Sequence, residues 1–200
     1  MSSRPSPLPN RVTPFGEICA VPDRGGMFGN RGGRIHSDGF TITRRQASQR
    51  WICCVLSFKG RQRRVMGKGY TELFFLDEAT ALASGHRPCF ECRRADAKAF
   101  ATAWARGQGM ARPAMADEMD RVLNVERRAP APAATHAELA YGAMVASGGE
   151  AYLFDGSRFC RWSFGGYEPA QPKGALTLLT PASALAALHA GFRPMVHSSV

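Results

Sequence analysis

Residues 73–94 read LFFLDEATALASGHRPCFECRR, and this stretch decides the fold. Residues 71–75 (TELFF) are apolar and β-favouring and predict a short strand. Asp77 then offers a carboxylate to the first free N–H groups of a helix, and Glu78 complements its positive end. Residues 79–84 continue as helix formers, and Gly85 supplies the left-handed stop. Pro88 starts a new element, with Cys89 and Cys92 as a C-x-x-C pair. A second helix is expected over residues 94–106, with Ala97, Phe100, Ala101 and Trp104 on one face.

Working outward towards the N-terminus, residues 50–58 (RWICCVLSF) are the best candidate for a buried strand. Lys59-Gly60 begins a turn, residues 61–66 return as its hairpin partner, and residues 67–69 turn again. Residues 22–39 hold six glycines without periodicity and read as a long loop. Residues 15–21 predict a short strand, and residues 1–14, rich in Pro and Ser, a flexible tail.

Towards the C-terminus, a third helix is expected over residues 114–126 through Met115, Met119, Val122 and Leu123. Residues 127–134 read as a linker. Strands over residues 143–146, 151–154 and 159–163 form a small meander, with Asp155-Gly156 at the last turn. Residues 176–179 add a strand, and Thr180-Pro181 opens a helix to residue 190. The expected fold class is α+β: mixed short strands with a Cys-x-x-Cys metal knuckle between two helices, plus a small strand–helix C-terminal lobe. The lobes are expected over residues 15–126 and 135–200.

With 200 residues and 44% hydrophobic content, the chain can bury a real core. No apolar run reaches the ~18 residues needed to span a bilayer. The first residues lack the apolar segment of a secretory signal. The expectation is a soluble cytoplasmic protein without a membrane partner. In a reducing compartment its six cysteines favour metal or thiol chemistry over a disulfide framework.

The net charge of +10 is unevenly placed. Residues 1–70 carry 13 Lys/Arg against three acids, and residues 71–200 carry 13 against 13. A cationic first third suits a polyanion, nucleic acid first and DNA ahead of RNA, or serves as a solvated basic face that aids solubility. Lys59, Arg61, Arg63 and Arg64, with Phe58 and Tyr70 nearby, are the candidate residues for gripping phosphates. The same residues also read as a solvated hairpin tip.

Cys89 and Cys92 carry the chemistry. A C-x-x-C turn lets two thiolates converge on one ion, and zinc takes four ligands in a closed site. Arg87, Arg93, Arg94 and the following helix N-terminus lower the thiol pKa values. Partners are available in Cys19, Cys53, Cys54, Cys160, His36 and His86. Cys53 and Cys54 are consecutive on a strand and point to opposite faces, so they cannot easily share an ion. Cys54 is taken as the third ligand and His36, beside Asp38, as the fourth. A redox pair and inert core cysteines are the alternatives.

The order Phe74-Phe75, Glu78-Ala79, Gly85, Arg87-Pro88-Cys89, Cys92, Arg93 resembles the metal-binding domain of Ada-type DNA alkylation-repair proteins. The resemblance covers about an eighth of the chain. It implies a four-cysteine zinc site on a small α/β domain that contacts DNA. That family's upstream Cys-x-x-x-Cys is replaced here by adjacent Cys53-Cys54, so its methyl-acceptor role does not carry over. Zinc is the expected cofactor and a nucleic-acid-contacting zinc protein the expected function. The alternatives are a zinc hydrolase with Glu91 or Asp38 as base, and a thiol-redox protein using Cys89 and Cys92.

Overall fold

A computed structural model describes residues 5–62 and 64–200 of the chain. The fold is mixed α and β, with two six-stranded sheets and four α-helices among the described residues. The first sheet uses β1 (Arg11–Val12), β2 (Ile18–Cys19), β3 (Met27–Arg31), β4 (Trp51–Cys54), β5 (Leu73–Phe75) and β6 (Arg87–Pro88). Their spatial order is β2-β1-β5-β3-β4-β6. Pairing is mixed: β1 with β5 and β4 with β6 run parallel, and the rest antiparallel.

Four helices follow the first five strands: α1 (Glu78–Ala83), α2 (Arg94–Gly107), α3 (Ala116–Glu126) and α4 (Ala182–His189). The second sheet is antiparallel throughout. It consists of β7 (Ala133–Ala134), β8 (Met144–Ser147), β9 (Glu150–Phe154), β10 (Phe159–Ser163), β11 (Gly166–Pro169) and β12 (Leu176–Leu178), ordered β11-β10-β9-β8-β12-β7.

Every residue of α1 is buried. Ala81 packs on Val12, Met27, Leu73 and Phe75 beneath the first sheet. Ala79 and Ala83 meet Met144 and Leu153 of the second sheet. A helix enclosed on all sides has no polar face, which explains its Ala-rich sequence. The other side of the second sheet packs against α2, α3 and α4 through Phe100, Trp104, Leu123 and Leu188. The helices expected in the first lobe thus share their core with the strands expected in the second.

Asp77 caps α1 as expected: its carboxylate accepts the Thr80 N–H at 2.8 Å, the Tyr167 hydroxyl at 2.9 Å and the His197 N–H at 3.0 Å. Buried Glu78 is held by both terminal nitrogens of Arg93, at 2.5 and 2.9 Å, and accepts the Met195 N–H at 2.9 Å. The C-terminal segment is thereby tied to the start of α1.

Several expectations are corrected. The antiparallel partner of β4 is not residues 61–66, which form no strand among the described positions, but β3, inside the stretch read as a loop. Val12 of β1, within the expected flexible tail, is fully buried. Residues 133–134 of the expected linker form β7. In α3, Met119 and Leu123 face the core while Val122, and Met115 at its N-cap, are exposed. Pro181 occupies the N-cap of α4, and the Thr180 hydroxyl accepts the Met144 N–H instead of capping. No helix of the described residues is long and apolar enough to cross a membrane.

Candidate metal centre

Register brings the cysteines together. In the parallel pair, Ile52 stands beside Arg87 and Cys53 beside Pro88, so the next step places Cys54 beside Cys89. The Cys89 N–H donates to the Cys53 carbonyl at 2.9 Å and fixes that step. The turn after β6 then carries Cys92 back: the Arg93 N–H donates to the Cys89 carbonyl at 3.0 Å. The sulfurs of Cys54, Cys89 and Cys92 lie within 4.8 Å of one another. A tetrahedral ion with metal–sulfur bonds of about 2.3 Å needs its sulfurs about 3.8 Å apart, so the donor set fits such an ion with small movements.

Strand alternation sends Cys53 the other way, as expected. It is fully buried among Val12, Met27, Leu73 and Phe75, and burial pushes its thiol well up. Among the three grouped thiols, Cys54 is held protonated because it donates to Cys89 and Cys92 and is buried. Cys89 is lowered to about 5, first by the Cys54 hydrogen bond and then by the Cys92 and Glu91 N–H groups. Cys92 is lowered by the same Cys54 donor and by the Val55 N–H. The protein thus favours thiolates at the C-x-x-C pair, the form that binds metal.

Two buried ion pairs flank the sulfurs. Arg93, next to Cys92, is locked onto Glu78. Arg87, two residues before Cys89, makes a bidentate pair with buried Asp120 at 2.8 and 2.7 Å. These pairs anchor both ends of the cysteine turn to α1 and α3.

His36 is not part of the sulfur cluster. Its Nε2–H donates to the Met66 carbonyl at 3.0 Å, which leaves Nδ1 to accept from the Thr71 hydroxyl at 2.5 Å. Both ring nitrogens are thus committed, and burial together with Arg34 lowers its pKa. Asp38 is exposed and bonded to Arg34, and does not line the cysteine cavity. Among the described residues, no other group of three potential ligands is this close.

The three cysteines line a cavity of about 360 Å³. One wall is the face of the first sheet turned away from its core: Phe28 and Asn30 of β3, Ile52 and Cys54 of β4, Phe74 of β5. Leu56, Phe58, Arg61 and Tyr70 also line the cavity. Lys59 and Arg61 lie over the Phe58 ring at 5.2 and 5.4 Å from its centroid, and Arg61 pairs with Glu91 at 2.7 Å. Lys59, Arg61 and Arg64 are exposed, and Arg63 lies outside the described residues.

Sequence reasoning missed the cavity wall. The sequence does not single out Phe28, Asn30 or the buried Glu72, whose carboxylate accepts the Met66 N–H at 2.6 Å, and Phe74 enters only through the Phe74-Phe75 pair. For Phe28 and Asn30 the signal is strand alternation in β3, which Gly29 between them obscures. In comparisons with protein-family models, with curated proteins and with solved structures, no match to this chain is found.

Proposed function

We propose that the chain is a zinc-binding protein that contacts nucleic acid through its basic N-terminal third. The observation that carries the reading is the convergence of the Cys54, Cys89 and Cys92 sulfurs within 4.8 Å. In this reading the C-x-x-C segment is a metal knuckle that ties α1 and α2 to β4. Three thiolates would hold the ion, which supplies a Lewis-acidic centre when bound. The excess positive charge of residues 1–70 and the exposed Lys59, Arg61 and Arg64 beside the cavity support the polyanion partner. The kinship with Ada-type metal-binding domains belongs to the same proposal, without its methyl-acceptor step.

A second reading is favoured by the donor count. Three protein ligands facing a cavity leave room for water, as hydrolytic zinc sites require. Glu91 and Glu72 both line that cavity and are the available bases; Asp38 is not.

Metal analysis of the purified chain, with salt-dependent titration against DNA and RNA, tests the main reading. One ion per chain and polyanion affinity that falls steeply with salt are expected. A metal-free protein without polyanion affinity overturns it, and a reactive low-pKa cysteine in that metal-free form would favour the redox alternative.

A further inference from the structure

The outer face of the first sheet is organised in cross-strand rows. Phe74 pairs with Phe28, Phe28 with Cys54, and Cys54 stands beside Cys89. The Phe28 and Phe74 rings lie 6.3 Å apart and are both half-buried. The two rings are tilted by 49° to one another, Arg11 lies over the Phe74 ring at 4.9 Å from its centroid, and the row they begin ends in the sulfur cluster. The neighbouring row places Asn30 beside Ile52 and Ile52 beside Arg87. Glu72 flanks the same cavity.

Charge separates the inside of the cavity from its surroundings. Arg87 is neutralised by Asp120 and Arg61 by Glu91. Glu72 accepts the Met66 N–H, and Arg50, which also lines the cavity, is exposed and pairs with Asp117 at 3.5 Å. Apart from the sulfur cluster, the ion-paired side chains leave little net charge at the cavity, while Lys59 and Arg64 lie outside it in solvent. This division suits a planar uncharged ring inside and anionic groups outside. A volume of about 360 Å³ admits one such ring system.

We propose that the Phe28–Phe74 face is a stacking site for one unpaired nucleobase of a single strand, its phosphates held outside by the exposed Lys59 and Arg64. The site brings the edge of that base to the Cys54–Cys89–Cys92 centre, with Asn30 and Glu72 as hydrogen-bonding groups. This inference rests on the nucleic-acid part of the proposed function and narrows it to single strands. Bases in duplex are stacked on their neighbours and cannot enter; unpaired bases stack on aromatic side chains.

The test uses the zinc-loaded full chain and a short oligonucleotide carrying 2-aminopurine, as a single strand and as a matched duplex. The single strand should bind more tightly, with a change in 2-aminopurine emission that the duplex lacks. Phe74→Ala and Phe28→Ala should each weaken single-strand binding about fivefold to a hundredfold. Metal content should be unchanged in both. Equal, salt-dependent affinity for both forms with unaltered emission overturns this inference and leaves the proposed function standing. No affinity for either form with metal bound overturns both this inference and the nucleic-acid part of that function. Should a variant fail to fold, the comparison of strand forms on the native chain decides alone.

Discussion

Replacing Arg93 with methionine should be among the most damaging single changes outside the cysteines. Arg93 follows Cys92, and its guanidinium and the Glu78 carboxylate are each 1% exposed. Two hydrogen bonds of 2.5 and 2.9 Å join them, and Arg93 Nε also reaches the Asp96 carboxylate at 3.1 Å. Arg93→Met leaves the Glu78 charge enclosed, with the Met195 N–H as the remaining partner of its side chain among the described residues. Stranding one member of a buried pair costs about 3–5 kcal/mol. At roughly 2–4 °C per kcal/mol for a chain of this size, the melting temperature should fall by about 6–20 °C. Denaturant unfolding of the metal-free protein at pH 7 measures the loss without mixing in metal affinity. Glu78→Gln in the Arg93→Met background should recover part of it, because the stranded charge is gone. A loss below about 1 kcal/mol for Arg93→Met, or strictly additive single and double variants, would refute the view that this pair anchors the cysteine turn.

Acid should destabilise the protein through His86. Its ring is fully buried between Trp51 and Phe75, at 4.8 and 4.7 Å. Burial first, then Arg31 and Arg127, push its pKa well below 6.5. The folded form therefore refuses a proton that the unfolded form takes up below about pH 6.5, so this stability is present above that pH and lost below it. The slope should be about 1.4 kcal/mol per pH unit, and the metal-free His86→Gln variant should show a pH 5–6 slope shallower by that amount. An unchanged slope would exclude a neutral buried His86. Gly29→Ala should cost at least about 1–3 kcal/mol in the same unfolding assay. A Cβ there would lie 2.1 Å from the Ile52 carbonyl oxygen, a backbone atom that cannot yield. Gly69→Ala, which meets nothing within 4 Å, serves as the near-neutral control. Lys59→Gln and Arg64→Gln should each lower the salt slope of single-strand binding by about 0.7; an unaltered slope would remove these side chains from the interface.

What the sequence showed was local. The Asp77 cap, the Ala-rich α1, the buried stripe of α2 and the Asp155-Gly156 turn all depend on neighbours within a few residues, and each formed where its residues stood. Strand alternation alone shows that Cys53 and Cys54 cannot both join the pair; that Cys54 is the one follows from the register of β4 with β6. What stayed hidden was non-local. β3 reads as loop in the sequence because Gly29 has no side chain, yet a side chain there would meet Ile52 and the Phe75 ring from two neighbouring strands. His36 stood out as a ligand beside Asp38, but its nitrogens go to Met66 and Thr71, some thirty residues away. The cavity wall was invisible for the same reason: Phe28 and Phe74 meet only through pairing between distant strands.

Cobalt(II) titration of the reduced chain reports most directly on whether the three sulfurs hold one ion. The account predicts one equivalent bound, with sulfur-to-cobalt charge-transfer absorption and tetrahedral visible bands. Cys54→Ser, Cys89→Ser and Cys92→Ser should each weaken or abolish this signal, while Cys19→Ser and Cys160→Ser leave it intact. No charge-transfer band in the native chain, or a full-strength signal in the Cys54→Ser variant, would contradict it.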